Sequence, residues 1–537
     1  MSIPTKCTVL IIGGGPSGSY AASVLAREGI DTVLLEAEKH PRYHIGESMI
    51  PSFRHYLRFI DLDEEFDKYG FTKKVGAAFR MTPGKEGWSD FLLVGGPNNY
   101  TWNVIRSEAD ELIFRHAGKS GAKTFDGVRV SAIRFDHDST NPNADPTDDT
   151  KPQELGRPVS ATYTRKDEGT TGKIKFEYVI DATGRAGIMS TKYLKNRQYS
   201  KALKNIAHWA YYTDAGSYGI GTKRANSPFF EALTDESGWA WLIPLHNGTT
   251  SVGIVRNQEI GNAHRAKFET VIEYYEDALK LAPVLSDLLH TPSPSTQAEA
   301  KRVTTVNTAS DYSYSAATYA IPYARIIGDA GCFIDPFFSS GVHLALTGAL
   351  AAGTTIAASI KGDVSEEMAG EWHSAKFREG YARFLLVVLS TYRQMKNQRE
   401  AVLSDFEEKD FDRAFDIFRP VIQGDAEATA RITQAEFAKT IAFLAKALDP
   451  TPLDDLPEEP RQNLQGKWHA LGRGDEAEGE LEILSALRLG VGTEIFSTGN
   501  FTTDVVMGRV PRLVRGELTL VPAEEGKKEE INPKGQE

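Results

Sequence analysis

Cysteine is almost missing from this 537-residue chain: Cys7 lies in an apolar run and Cys332 beside a glycine turn, with no paired spacing. That excludes a disulfide framework and a cysteine-based metal centre, and no other set of metal ligands is expected. Positive charge is short as well. The 61 Lys and Arg against 73 Asp and Glu leave a net charge of -12 and a pI near 5.6. Nucleic-acid binding draws its affinity from clustered cations, so no such partner is expected, and a small molecule is. Long apolar runs are also lacking. Leu344 to Ile360 is rich in Ala, Gly and Thr and falls short of the roughly 20 strongly apolar residues a bilayer demands; it reads as a buried helix, without a membrane partner. Met1 to Lys6 lacks the charged and apolar regions of a signal peptide. With reduced thiols, this points to the cytoplasm. No internal repeat is visible.

What is present begins with a βαβ unit. Val9 to Ile12 is a short apolar run bounded by glycines, Ser17 to Glu28 carries apolar residues at helical spacing behind Pro16, and Asp31 to Glu36 is β-branched and ends in a carboxylate. The spacing predicts a parallel sheet. Val128 to Phe135, Ser160 to Thr164 and Lys173 to Ile180 read as further strands around a polar surface loop, Asp136 to Gly156. From Ile206 to Val255 aromatic and β-branched residues dominate, which predicts a second, mostly antiparallel sheet roofing the substrate. After Gly370 the pattern turns helical through Leu448, until DPTPLDDLPEEP breaks it. The expected architecture is therefore α/β. A discontinuous dinucleotide-binding, Rossmann-like domain takes 1–205 and 300–365, an inserted antiparallel-sheet domain 206–299, a mostly helical region 366–520, and a disordered tail 521–537.

Gly13, Gly14, Gly15, Ser17 and Gly18 form GGGPSG between strand and helix. Glycines there permit a tight turn and close backbone approach to a pyrophosphate at the helix N-terminus. Glu36 follows at the distance suited to a ribose hydroxyl pair. YVIDATG (Tyr178 to Gly184) and RIIGDAGCFIDP (Arg325 to Pro336) resemble flavoprotein signatures, which makes FAD the expected dinucleotide; that resemblance places Asp329 on the ribityl chain. Other motifs are open when read from residue type alone. Trp239 and Trp241, two apart on one strand face, are core packing or a rigid apolar wall. Lys74, with Lys73 as its rival, is an ordinary solvated lysine or a buried amine able to donate hydrogen bonds or act as a nucleophile. Ser340 and Gly341 make an ordinary turn or an anion-binding nest.

Taken together, PRYHIGES, KKVGAAF, GWAWLIP and PFFSSGVHLAL resemble the flavin-dependent halogenases, in particular the fungal-type halogenases of phenolic polyketides. The resemblance extends from the N-terminus to about Leu350. It implies that Arg42, Glu47, Ser48 and Arg106 lie by the flavin, that Val342 contacts it through its backbone, and that Ser340 and Gly341 bind halide. Trp239, Trp241, Ile243 and Pro244 carry the Trp-x-Trp-x-Ile-Pro hallmark and, with Phe338, would wall the path to substrate. Lys74 falls on the catalytic position. Tryptophan halogenases carry a glutamate where this chain has Phe338, which favours a phenolic ring that brings its own electron donor.

The implied reaction uses FADH2, O2 and chloride or bromide to make hypohalous acid, which Lys74 passes to an electron-rich aromatic ring. No second dinucleotide unit is read in the sequence, so a separate NAD(P)H flavin reductase is the expected partner. A carrier-bound substrate is the less favoured variant. Two other readings remain: a single-component FAD aromatic hydroxylase, which would not need halide, and a flavin-binding protein without turnover.

Overall fold

The computed structural model describes residues 2–136, 155–292, 296–399, 402–403, 411–424 and 505–524. The core of the first half is a parallel sheet in the order Lys123–Phe125, Thr32–Leu35, Lys6–Ile12, Thr171–Asp181, Ala324–Ile326. Lys6–Ile12 sits at its centre, with Ile12 in register with Leu35 on one side and Asp181 on the other. Val9, Leu10 and Ile11 are fully buried, as a central strand covered on both faces requires. The helices packed on this sheet include Pro16–Arg27, begun by a proline whose fixed φ suits a first turn, and Gly341–Lys361. The latter is long and apolar enough to pass for a membrane span, yet it lies buried inside the protein.

The second sheet has nine strands and is wider than 206–299. Eight of them run in the order Cys332–Phe333, Asn307–Ala316, Arg197–Thr213, Thr249–Asn257, Gly238–Pro244, Phe229–Ala232, Gly76–Thr82, Lys85–Asp90, and the ninth, Lys301–Arg302, pairs with the end of Arg197–Thr213. Strands from before and after the inserted segment thus complete it, and Phe229–Ala232 joins Gly76–Thr82 in parallel while its other neighbours run antiparallel. Within 206–299 the sheet also ends early. Beyond Asn257 the chain forms three helices, Gln258–Arg265, Val271–Leu279 and Pro283–His290. Asn257 caps the first, and Thr270 with Glu273 closes a capping box on the second.

The C-terminal part contributes two helices among the described residues, Glu366–Met395 and Asp412–Ile422. Its end differs. Arg509–Arg512 and Thr519–Pro522 pair as a hairpin whose Leu518 and Leu520 are buried in the first core, so the chain is ordered through the start of the stretch read as a disordered tail. The alternation of apolar and charged residues across RVPRLVRGELTLVP is the physical reason. Most of the polar loop at 136–156, the Pro-rich break and 525–537 lie outside the described residues.

Candidate active site

The glycine turn is built by contacts that allow no side chain. A Cβ on Gly13, whose φ is +106°, would fall 2.1 Å from the Ala182 carbonyl oxygen, and one on Gly18 would fall 1.9 Å from the Gly13 carbonyl oxygen. These glycines bring helix, strand and the DATG turn into contact. Asp181 holds that last turn: its carboxylate accepts the Thr183 and Met189 amides and the Thr183 hydroxyl. Gly14 donates its amide to Glu36, whose other oxygen accepts the Glu38 amide at 2.8 Å. No side chain caps the helix at Gly15, which leaves its first amides for a ligand.

A cavity of about 1010 Å³ opens on this turn. It is lined by Gly13, Gly15, Ser17 and Glu36, by Arg42, Arg106 and Asp329, and by Gly341, Val342, Trp239, Trp241 and Ile243. Arg106 is buried and donates to both oxygens of Asp110, at 2.9 and 3.1 Å, and to the Ile45 carbonyl at 2.8 Å. Arg42 shares Asp110 at 3.2 Å. Two guanidinium groups are thus fixed on one buried carboxylate at the cavity edge. Burial raises the pKa of Asp329, with Arg106 and Arg185 opposing the shift. Uncapped helix amides, cationic walls and a carboxylate at a strand end form a donor set that fits FAD.

Ser340 begins the helix Gly341–Lys361. Its hydroxyl is buried and has no hydrogen-bond partner among the described residues, and a Cβ on Gly341 would meet nothing within 4 Å. An unsatisfied buried hydroxyl costs about 1–3 kcal/mol. At a long helix N-terminus the missing partner is suited to be an anion.

Lys74 is buried on a three-residue strand, Thr72–Lys74, paired with Thr101–Asn103. Its Nζ donates to Ser48 Oγ at 2.8 Å and to the Met49 carbonyl at 2.7 Å, and burial pushes its ammonium down to about 7. Ser48 lines the cavity; Lys74 stands immediately behind it. Lys73 points outward, exposed, toward Asp67 and Tyr100. Beside Ser48, burial pushes the Glu47 carboxyl up to about 7, against the pull of the Tyr211 hydroxyl and Arg106.

Trp239 and Trp241 are both buried, with ring centroids 5.7 Å apart. Phe338 is not in the cavity lining but packs with Phe79, Phe337 and Phe415 in an adjoining aromatic cluster. Pro244 also lies outside the lining, its carbonyl accepting from Asn103. Gly14 and Gly18 serve packing rather than lining. The sequence reading passed over Arg185, Tyr43 and Phe230, which line the cavity, and Tyr211, which holds Glu47 at 2.6 Å. Alternating aromatics in HWAYYT were the available signal for Tyr211.

A parallel sheet with a glycine-turn cradle, roofed by a second sheet over one large cavity, defines a flavoprotein of the FAD type. The family described as tryptophan halogenase matches residues 8–101 and 161–401. The chain is 53% identical over 528 residues to a flavin-dependent halogenase of Acremonium egyptiacum, covering 97% of this chain and 93% of the relative. It is 51% identical over 540 residues to the sulochrin halogenase of Aspergillus terreus, covering 98% and 95%. Among solved structures, the myxobacterial chondrochloren halogenase CndH superposes with a TM-score of 0.63 at 26% identity, covering 83% of this chain and 97% of that one. The halogenase CmlS, at 24% identity and TM-score 0.62 with 87% and 78% covered, shares the fold. The chain belongs to the tryptophan halogenase family and is a flavin-dependent halogenase, an FAD enzyme that uses O2 and halide to halogenate an aromatic substrate.

Proposed function

We propose that this enzyme halogenates a phenolic, polyketide-like ring and that Lys74 carries the halogen to it. The observation that carries the reading is the buried Lys74 amine, lowered to about 7 and held by Ser48 directly behind the cavity lining. FAD, when bound and reduced, supplies the oxygen activation that oxidises chloride or bromide. Gly13, Gly15, Ser17, Glu36, Arg42, Arg106 and Asp329 would hold it, with Glu47, Ser48 and the Val342 backbone beside it. Ser340 and Gly341 would seat the halide, whose charge the helix N-terminus favours. Trp239, Trp241 and Ile243 make the wall that keeps organic substrate off the cofactor. The neutral Lys74 amine takes the halogen from hypohalous acid, exchanging N–H for N–X and releasing water, and then passes it to the ring carbon, whose displaced proton returns to the nitrogen. Alternatively the amine only donates a hydrogen bond to the acid, and the ring exchanges C–H for C–X with release of water.

A phenol is favoured because position 338 is a phenylalanine packed among other aromatic rings and supplies no assisting carboxylate, whereas a phenol brings its own electron donor. The sulochrin halogenase similarity supports a free polyketide over a carrier-bound substrate. Among the described residues the parallel sheet carries one glycine-rich strand–turn–helix, which supports delivery of reduced flavin by a separate NAD(P)H-dependent reductase. The two thiols, free and buried, are in keeping with a cytoplasmic setting. The test is a reconstituted assay with reductase, NADH, FAD, chloride or bromide, and a panel of phenols, resorcinols and indoles. A halogen isotope pattern on phenolic members supports the reading. A product heavier by one oxygen, indifferent to halide, overturns it.

A further inference from the structure

The Trp239 indole is tied to a polar cluster as well as packed. Its Nε1 donates to the Tyr392 hydroxyl at 2.9 Å, and that hydroxyl donates to Asp335 Oδ2 at 2.6 Å. Asn205 Nδ2 donates to both, to the Tyr392 oxygen at 2.8 Å and to Asp335 Oδ2 at 3.0 Å. The Tyr392 oxygen therefore accepts two hydrogen bonds and gives one, which is its full capacity. The far end of the cluster reaches the halide-side turn. Asp335 Oδ1 accepts the Phe337 amide at 3.2 Å, capping the single turn Pro336–Phe338, and Ser339, Ser340 and Gly341 follow. Phe337 meets the Trp239 ring edge-on, with centroids 5.2 Å apart. Trp239, Pro336, Ser339 and Gly341 all line the one cavity.

Such a cluster has one consequence for the wall. A buried indole N–H with a saturated partner has one favoured orientation, whereas packing alone would leave the ring free to shift with its aromatic neighbours. We propose that Tyr392, from the helix Glu366–Met395, is a positioning residue for halogenation. Together with Asp335 it fixes Trp239 against the Ser339–Gly341 turn, and so sets how much oxidised halogen is kept for substrate rather than lost to solvent. The inference rests on the wall role given to Trp239 above.

The experiment uses the full-length holoenzyme with a flavin reductase, NADH, bromide, a phenol that the wild type halogenates, and a 1,3-diketone in solution. The diketone exchanges a C–H for C–Br and releases water when free hypobromous acid reaches it. Wild type, Tyr392→Phe, Trp239→Phe and the double variant are compared by the ratio of brominated diketone to brominated phenol, with FAD content measured alongside. Tyr392→Phe is expected to raise the ratio about threefold or more with FAD content and total oxidised bromide unchanged. Trp239→Phe, which removes the same hydrogen bond from its other end, raises it too, and the double variant is no worse than Trp239→Phe alone. An unchanged ratio in either single variant that folds, or effects that multiply in the double, overturns the proposal. If no phenol is found that the wild type brominates, the phenolic reading itself fails and takes this inference with it.

Discussion

Lys74 Nζ lies 2.8 Å from Ser48 Oγ, and Ser48 lines the cavity while Lys74 does not. The pair joins two segments of the chain, HPRYHIGES and FTKKVGAAF, that have no local reason to meet. It places a weakly basic amine within one hydrogen bond of the cofactor space without exposing it there.

The Lys74 amine sets a pH signature on stability. Its folded pKa, about 7, is below the 10.5 of an exposed lysine, so the unfolded chain binds the extra proton between those values. The burial cost is complete below about pH 7 and fades toward pH 10.5. Lys74→Met removes it. The melting temperature of the variant minus that of the wild type should fall by roughly 2–5 °C between pH 7 and 9.5, measured by calorimetry. A constant difference would contradict a neutralised Lys74.

Ser340→Ala deletes a hydroxyl that has no partner within the described residues. Stability should therefore hold or rise slightly, while the KM for halide rises about tenfold through loss of a hydrogen bond to an anion. Steady-state rates against bromide concentration, with FAD content unchanged, check this. An unaltered halide KM would move the halide elsewhere.

Gly13→Ala and Gly18→Ala each push a Cβ to about 2 Å from a carbonyl oxygen. Neither contact yields without separating the helix from the strand, so both proteins should purify with little or no bound FAD. Flavin absorbance per chain measures it, and full yellow colour in either variant would contradict the cradle.

Local features were legible in the sequence and long-range ones were not. GGGPSG, GWAWLIP and the buried helix after Ser340 are encoded by neighbours in the chain, through turn geometry, alternation and apolar spacing. Tyr211 and Glu47 stand 164 residues apart, and Tyr392 and Trp239 stand 153 apart, so no spacing rule connects them. The sheet boundary failed for a similar reason. Gly76–Thr82, from well before the inserted segment, pairs with Phe229–Ala232 inside it, a partnership set by packing rather than by turn chemistry. Two misses were local and avoidable: the Thr270 to Glu273 capping box announced a helix, and the alternation before Pro522 announced a hairpin.

The central claim is that Lys74, and not Lys73, carries the halogen. It is tested most directly by mass spectrometry of the reconstituted reaction with Lys74→Ala and Lys73→Ala, each confirmed to bind FAD. The account predicts that Lys74→Ala forms less than about 1% of the wild-type halogenated phenol, while Lys73→Ala, altered only at an exposed ammonium, keeps most of it. Equal loss in both variants, or persistent product with Lys74→Ala, would contradict it.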